Sequence, residues 1–293
     1  MKQILSILIC ILLLVSLAGC GSHTEVPSES GTESTVPEET VTSQFPKADS
    51  KGLKYEINED GISCTITGLG TCKDTAVSIG SEIDGYTVTA IGEHAFFRCA
   101  ELTGVSFPDS VTSIGAYAFY GCTGLTEVLL GEGLVTISQY AFAYCSGILK
   151  ISIPQTVTQI DGWAFYYCPS LQSVHIPDIS AWLQIRFASV YANPLRYAGE
   201  LYVNDVLLTT LTVPEEVTVI GAWTFEGCTS LERVSLHENV TEIGDRAFRD
   251  CEKLSRINYA GTKDMWKTIV KSSTWNASME EYAIYCSEGK IIG

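Results

Sequence analysis

The stretch Ile114–Thr136, IGAYAFYGCTGLTEVLLGEGLVT, decides the reading of this chain, because close relatives of it recur in register along the sequence. Aligned on their first residue, the copies begin at Ile91, Ile114, Ile137, Ile160, Ile220 and Ile243, every 23rd position wherever the series is unbroken. Each opens with Ile, then Gly, Ser or Asp, two variable positions, a small residue and Phe. The Phe column is Phe96, Phe119, Phe142, Phe165, Phe225 and Phe248, and a Cys column follows three residues on, at Cys99, Cys122, Cys145, Cys168, Cys228 and Cys251. Next comes an L-x-x-V-x-I run, such as Leu102, Val105 and Phe107 or Leu231, Val234 and Leu236.

In an extended segment alternate side chains point to opposite faces, so Val128 and Leu130 are expected inward while Glu127 and Leu129 face out. Pro108, Pro154, Pro177 and Pro214 stop the run, since proline has no N–H to give a ladder. A second short apolar piece follows (Val111 to Ile114, Val157 to Ile160), and the A-F-x-x-C piece is compact enough for one helical or 3₁₀ turn. One repeat is therefore one coil. A lone coil buries too little to offset the ~1 to 2 kcal/mol of backbone entropy lost by each ordered residue. Stacking is obligatory, with rungs about 4.8 Å apart and the Ile, Phe, Cys and Leu columns running as ladders down a solenoid core.

The unit IGxxAFxxCxxLxxVxIPxxVTx, in six registered copies, resembles the BspA-like leucine-rich repeat of bacterial surface proteins, and the resemblance extends from Leu53 to the C-terminus. It implies a β-rich leucine-rich-repeat solenoid, with stacked coils one repeat unit long, a parallel sheet and short helical turns, capped at both ends. It also implies a cell-surface or secreted protein with a binding or adhesion role.

Outward from the repeats the chain changes character. The leader, residues 1–19, has Lys2 at its start and an apolar run from Ile4 to Leu17, as a signal peptide does. That run is too short for a membrane span. Leu17-Ala18-Gly19-Cys20 resembles a bacterial lipobox, in which cleavage before Cys20 leaves its thiol diacylated and holds the protein to the extracytoplasmic face of the cell envelope. The ordinary alternative is a secretory leader cut nearby. Residues 20–52 are then the lipidated cysteine and a Ser, Thr, Glu and Pro-rich tether, too polar to order itself. As a flexible chain it reaches roughly 30 Å.

Residues 53–90 read as an N-terminal cap: LKYEI and ISCTITGL flank the turn signal Asn58-Glu59-Asp60-Gly61, as in a β-hairpin, and Val77 and Ile79 form a first incomplete strand. The repeats occupy 91–259. The step from Ile160 to Ile220 is far longer than one period, marking an irregular insertion at 179–210 that is either a seat of binding specificity or harmless repeat decay. Trp182 and Ile185 mirror Trp266 and Ile269, which predicts two helical variant coils, and Asn204-Asp205 predicts a turn between two short strands. Residues 260–293 form the C-terminal cap.

Chemistry is sparse. Net charge is −16, from 34 acidic against 18 basic residues, which disfavours nucleic acid as a partner because phosphate contacts need a basic face. No two of the four histidines fall at metal-ligand or triad spacing, no carboxylate pair stands out from the acidic surface, and no Gly-rich phosphate loop is present. No cofactor, metal or catalytic group is expected. The column cysteines are expected to be reduced apolar fillers, while a link between Cys64 and Cys72 stays open.

Two surface columns stand out. The position two before each Phe holds His94, Tyr117, Tyr140, Trp163, Trp223 and Arg246, with Phe97, Tyr120, Tyr144, Tyr166 and Tyr167 beside it. Such rings either bind a sugar or a protein, or simply cover the turns and pack on one another. The outward strand face presents Lys150, His175, Arg233 and Arg256, a docking face or merely a solvated one. Three functions remain: a tethered module for a protein of a host or neighbouring cell, with adhesion as its role; a carbohydrate-binding envelope lipoprotein using the aromatic column; and an enzyme, for which no constellation exists. The first is the reading adopted.

Overall fold

The computed structural model describes residue 45, residues 48–279 and residues 281–292; the leader, Cys20 and most of the tether lie outside the described residues. Each coil contributes two strands to two separate walls. The L-x-x-V-x-I runs form one wall, from Ala76–Ser78 through Gly104–Ser106 and Glu127–Leu129, then Lys150–Ser152, Ser173–Ile176 and Glu200–Val203. It resumes with Thr210–Thr212, Arg233–Leu236, Arg256–Tyr259 and Ala283–Cys286. The shorter pieces before each Ile form the other wall: Tyr86–Ile91, Ser113–Ile114, Thr136–Ile137, Gln159–Ile160 and Arg186–Phe187 in one sheet, then Val219–Ile220, Glu242–Ile243 and Val270–Lys271 in a second.

Pairing is parallel and keeps the repeat register: Val105 opposes Val128, Ile114 opposes Ile137, and Val234 opposes Ile257. Between the walls lie the ladders. Phe96, Phe119, Phe142 and Phe165 are fully buried and stacked at 4.9, 5.2 and 5.5 Å, with planes within 12° of parallel. Phe225 and Phe248 repeat the arrangement at 5.5 Å, and Trp275 closes that column edge-on. A single inward ring in a lone coil would stay half wet. Stacking removes both faces from water, worth about 1.5–3 kcal/mol for each buried ring.

The A-F-x-x-C piece differs from the expected helical turn. Its N–H groups alternate: Ala118, Tyr120 and Cys122 bond three residues back to Gly115, Tyr117 and Phe119, while Tyr117, Phe119 and Gly121 donate to Gln139, Ala141 and Ala143 of the next coil. This alternation requires left-handed backbone at two positions per coil, two before and two after each Phe. They are occupied by Tyr117 (φ 56°) and Gly121 (φ 70°) in one coil and by Tyr140 (φ 57°) and Tyr144 (φ 60°) in the next. A helix would turn those N–H groups inward on itself. The turns spend them on holding coil to coil.

The column cysteines are free thiols with a specific partner: the Sγ of Cys122, Cys145 and Cys168 donates to the carbonyl of Phe96, Phe119 and Phe142 at 3.0, 3.0 and 3.2 Å. Cys251 does the same to Phe225 at 3.2 Å. Burial pushes the thiols of Cys122 and Cys168 up to about 12, and those of Cys145 and Cys251 well above the usual range. Cys64 and Cys72 are likewise free and buried.

The long interval resolves into two pieces. Ile160 pairs directly with Phe187, so residues 177–203 are one complete coil, a little longer than the repeat unit, rather than an insertion. That coil carries the helix Ile179–Gln184, capped by the Asp178 side chain on the Ser180 N–H, with Trp182 and Ile185 buried. The same longer coil recurs where Arg256 pairs with Ala283; its helix Lys263–Thr268 is capped by Thr262 and buries Trp266, with Ile269 buried just beyond it. Each variant coil is followed by an antiparallel hairpin: Glu200–Val203 with Val206–Leu207 across Asn204-Asp205, both left-handed, and Ala283–Cys286 with Gly289–Ile292. The first hairpin ends one run of strands, and Thr210–Thr212 starts another. At the N-terminal end, Lys54–Ile57 pairs antiparallel with Ser63–Gly68, and Asp60 caps their turn through the Ile62 and Ser63 N–H groups.

Candidate functional site

The aromatic column is a stack seen from its side. His94 lies 5.0 Å from Tyr117, Tyr117 4.9 Å from Tyr140, and Tyr140 5.5 Å from Trp163, all within 17° of parallel. Their faces are used on one another, so solvent meets mainly their edges. Sugar recognition by an aromatic ring needs a free face. Trp163, 37% exposed, has no ring stacked on its downstream side among the described residues. Beside the column Phe97 stacks on Tyr120 at 5.2 Å, and Tyr144 meets Tyr166 and Tyr167 at 5.5 and 5.3 Å. Trp223 belongs to the second run of coils, and its indole Nε1 is buried without a partner.

On the strand face of the first run, His175 stacks on Tyr202 at 4.6 Å, bonds Asp205 through Nδ1 at 3.0 Å and meets Ser173 Oγ through Nε2 at 3.2 Å. Sequence reasoning misses this Ser–His–Asp relay, because Asp205 arrives from a hairpin 30 residues away. The distances suit a nucleophilic triad, which would also need N–H groups aimed at a developing oxyanion. The Ser173 N–H is spent on the Leu149 carbonyl, and the Asp205 side chain is 85% exposed, where water competes for it. Tyr202 donates to Glu200 at 2.9 Å, which raises the phenol above its ordinary value. This face therefore satisfies itself, with Lys150 exposed at its edge.

The second run is different. Arg233 and Arg256 stand opposite each other on neighbouring strands, with Ser235 opposite Asn258. The Arg256 guanidinium lies 4.2 Å over the Tyr285 ring, its Nε donates to Asn258 at 2.8 Å, and Lys290 approaches the same ring at 6.0 Å. Among the described residues no carboxylate pairs with Arg233 or Arg256, whereas Arg196, Arg246 and Arg249 each have one. Like charges in register on adjacent strands cost stability, and the chain is strongly acidic. Two arginines, one of them held flat with its terminal nitrogens free, suit a bidentate carboxylate.

Among the described residues no group of three or more His, Cys, Asp or Glu side chains is placed to hold a metal, and no helix is long and apolar enough to cross a membrane. Coils of one sequence pattern, stacked in register with a parallel wall of L-x-x-V-x-I strands, define a leucine-rich-repeat protein. The chain belongs to the BspA type of leucine-rich repeat, whose family model matches six copies over residues 76–189 and 196–285. Such repeats serve as protein-interaction modules.

Among solved structures, the chain is similar to the leucine-rich-repeat protein of T. pallidum, at 26% identity and a TM-score of 0.51, over 80% of this chain and 100% of that one. A leucine-rich-repeat protein from Bacteroides capillosus matches at 34% identity and a TM-score of 0.40, over 45% of this chain and 98% of the other. A leucine-rich cell surface protein from Faecalibacterium prausnitzii matches at 18% identity and a TM-score of 0.34, over 79% of this chain and 100% of the other. A search of curated protein sequences finds no match.

Proposed function

We propose that the protein is a non-catalytic binding module of the bacterial cell surface, which recognises a protein of a host or neighbouring cell through its outward strand face. A diacylated Cys20 anchors it to the outer side of the envelope, and residues 20–52 hold the repeats away from the membrane. The observation that carries the reading is the arginine pair Arg233 and Arg256, set opposite each other on neighbouring strands without a carboxylate partner among the described residues, in a protein of net charge −16. Rigid, preorganised side chains lose little entropy on binding. A partner supplying carboxylates completes the pairing that the chain withholds.

The experiment is capture of surface proteins by the full-length chain, compared with the double variant Arg233→Glu, Arg256→Glu. Loss of the captured protein in the variant supports the reading; equal capture overturns it. Anchoring is checked separately: labelled palmitate entering the wild type and not Cys20→Ala supports the lipid, and equal labelling removes it.

One observation favours a second reading, carbohydrate binding. Trp163 ends its stack of rings at 37% exposure, and Tyr167 beside it is 55% exposed. Glycan-array binding lost on Trp163→Ala would transfer the function to this edge.

A further inference from the structure

The short-strand wall has a gap. Its first sheet ends at Arg186–Phe187 and its second begins at Val219–Ile220, and among the described residues no backbone hydrogen bond joins them. Elsewhere each coil reaches back to its predecessor: Ser138 N–H to Ile114, Asp161 N–H to Ile137, Gly244 N–H to Ile220. The equivalent Gly221 has no such bond. Glycine geometry reports the same gap independently. A Cβ on Gly115 would lie 2.6 Å from Glu93 N and one on Gly244 2.6 Å from Ala222 N, both in the preceding coil. A Cβ on Gly221 would meet only Thr224 of its own coil, at 3.1 Å. The space is a cleft of about 640 Å³ lined by Leu183, Ile185, Phe187, Val217, Val219 and Gly221 among others.

The cause is the hairpin at Asn204-Asp205. More chain runs from Phe187 to Ile220 than between any two paired rungs of this wall, such as Ile114 and Ile137, Ile160 and Phe187, or Ile243 and Lys271, and the added chain forms the hairpin. Contact across the seam is made at one end of the cleft and beyond it: Ser180 Oγ donates to Glu216, which lines the cleft, at 3.0 Å, Trp182 Nε1 and Asn193 Nδ2 donate to the Thr224 carbonyl, Thr229 N–H donates to Gly199, and Arg196 pairs with the buried Glu226 at 2.6 Å. The cleft is thus bounded by these contacts and has a strand edge on each wall.

We propose that this cleft binds an extended segment of a protein partner as a missing rung, adding one strand between Arg186–Phe187 and Val219–Ile220. The inference rests on the protein-binding reading above and names what part of the ligand enters. Strand edges offer alternating N–H and C=O groups, and an extended polypeptide is the ligand whose main chain answers both walls. Alternate side chains of the guest meet Leu183, Ile185, Phe187 and Val217 or point to solvent beside Arg186, so a segment of alternating apolar and polar residues fits. Three to five residues at about 3.3 Å each span the rung.

The probe is a labelled peptide copied from one of the protein's own rungs, Gln155–Asp161 (QTVTQID), added to the full-length chain. Peptide binding should slow amide exchange at least about tenfold in residues 185–188 and 217–221 and leave residues 240–244 unchanged. N-methylation of the peptide's central amide should weaken binding about tenfold, the loss of one well-made main-chain hydrogen bond. Gly221→Phe, which fills the cleft from an open position, should abolish it. Absence of binding, protection elsewhere, or equal binding of the N-methylated peptide overturns the proposal. A protein ligand that depends on Arg233 and Arg256 yet binds Gly221→Phe normally overturns this inference alone; failure of the wild type to capture any protein overturns the reading beneath it.

Discussion

Replacing Phe142 by alanine removes an inner ring of a four-ring column. Phe142 is fully buried and lies 5.2 Å from Phe119 and 5.5 Å from Phe165, so its loss opens a void bounded by two aromatic faces that the strand walls prevent from closing. Buried Phe→Ala changes cost about 3–5 kcal/mol, and the two stacked contacts, each about 0.5–1.5 kcal/mol, place this one near the upper end. Phe96→Ala is the internal control: that ring has one stacked neighbour of its own column, Phe119 at 4.9 Å, so its cost should be lower by about 1 kcal/mol, the worth of one ring contact. In urea unfolding followed by circular dichroism, a slope of about 2–3 kcal/mol per M turns about 4.5 kcal/mol into a midpoint shift of about 1.5–2.3 M. A shift below about 0.5 M on the same scale, or a larger one for Phe96→Ala, would refute the stacked-column reasoning.

Three further outcomes follow from the same geometry. The thiols of Cys122, Cys145, Cys168 and Cys251 are buried and their titration is pushed far up, so native alkylation at mildly alkaline pH followed by mass spectrometry should leave them unmodified while the half-buried Cys99 reacts; equal labelling of Cys145 and Cys99 contradicts this. Glu226 has its carboxyl raised by burial from 4.5 despite Arg196, so the folded state takes up its proton first. Stability should therefore rise as pH falls from neutral through that raised value, and Glu226→Gln should lack the rise; a wild-type advantage that shrinks on acidification refutes the assignment. Gly121→Ala should cost about 1–2 kcal/mol for its left-handed backbone, whereas Gly133→Ala, whose Cβ would overlap the Asp109 carbonyl oxygen of the preceding coil, should lower the melting temperature considerably more; the reverse order would contradict the close approach of the coils.

The repeats are legible in the sequence because a constant period returns the same side chains to the same place, and a period needs no tertiary knowledge. The helical coils are legible for the same reason, Trp182 and Ile185 recurring as Trp266 and Ile269. The turn piece is not, because its left-handed positions hold Tyr, Trp, Arg, His or Asp far more often than glycine, so no glycine column announces that the backbone bonds forward to the next coil. Residues 179–210 look like an insertion because a slightly longer coil followed by a hairpin breaks the period without leaving the fold. Surface features are legible according to distance along the chain: Arg233 and Arg256 share a column and declare themselves, while the bond from Asp205 to His175 joins a turn to a strand and leaves no spacing to read.

The most direct test of the central claim, that the strand face of the second run of coils meets a protein, is site-specific photo-crosslinking. A benzophenone amino acid replaces Ser235, between Thr212 and Asn258 on the arginine-bearing face, or Tyr140 on the aromatic edge, in the full-length chain displayed on cells. The account predicts a discrete protein adduct from position 235, abolished by Arg233→Glu, and none from position 140. An adduct from position 140 alone, or one from position 235 indifferent to Arg233, would contradict it.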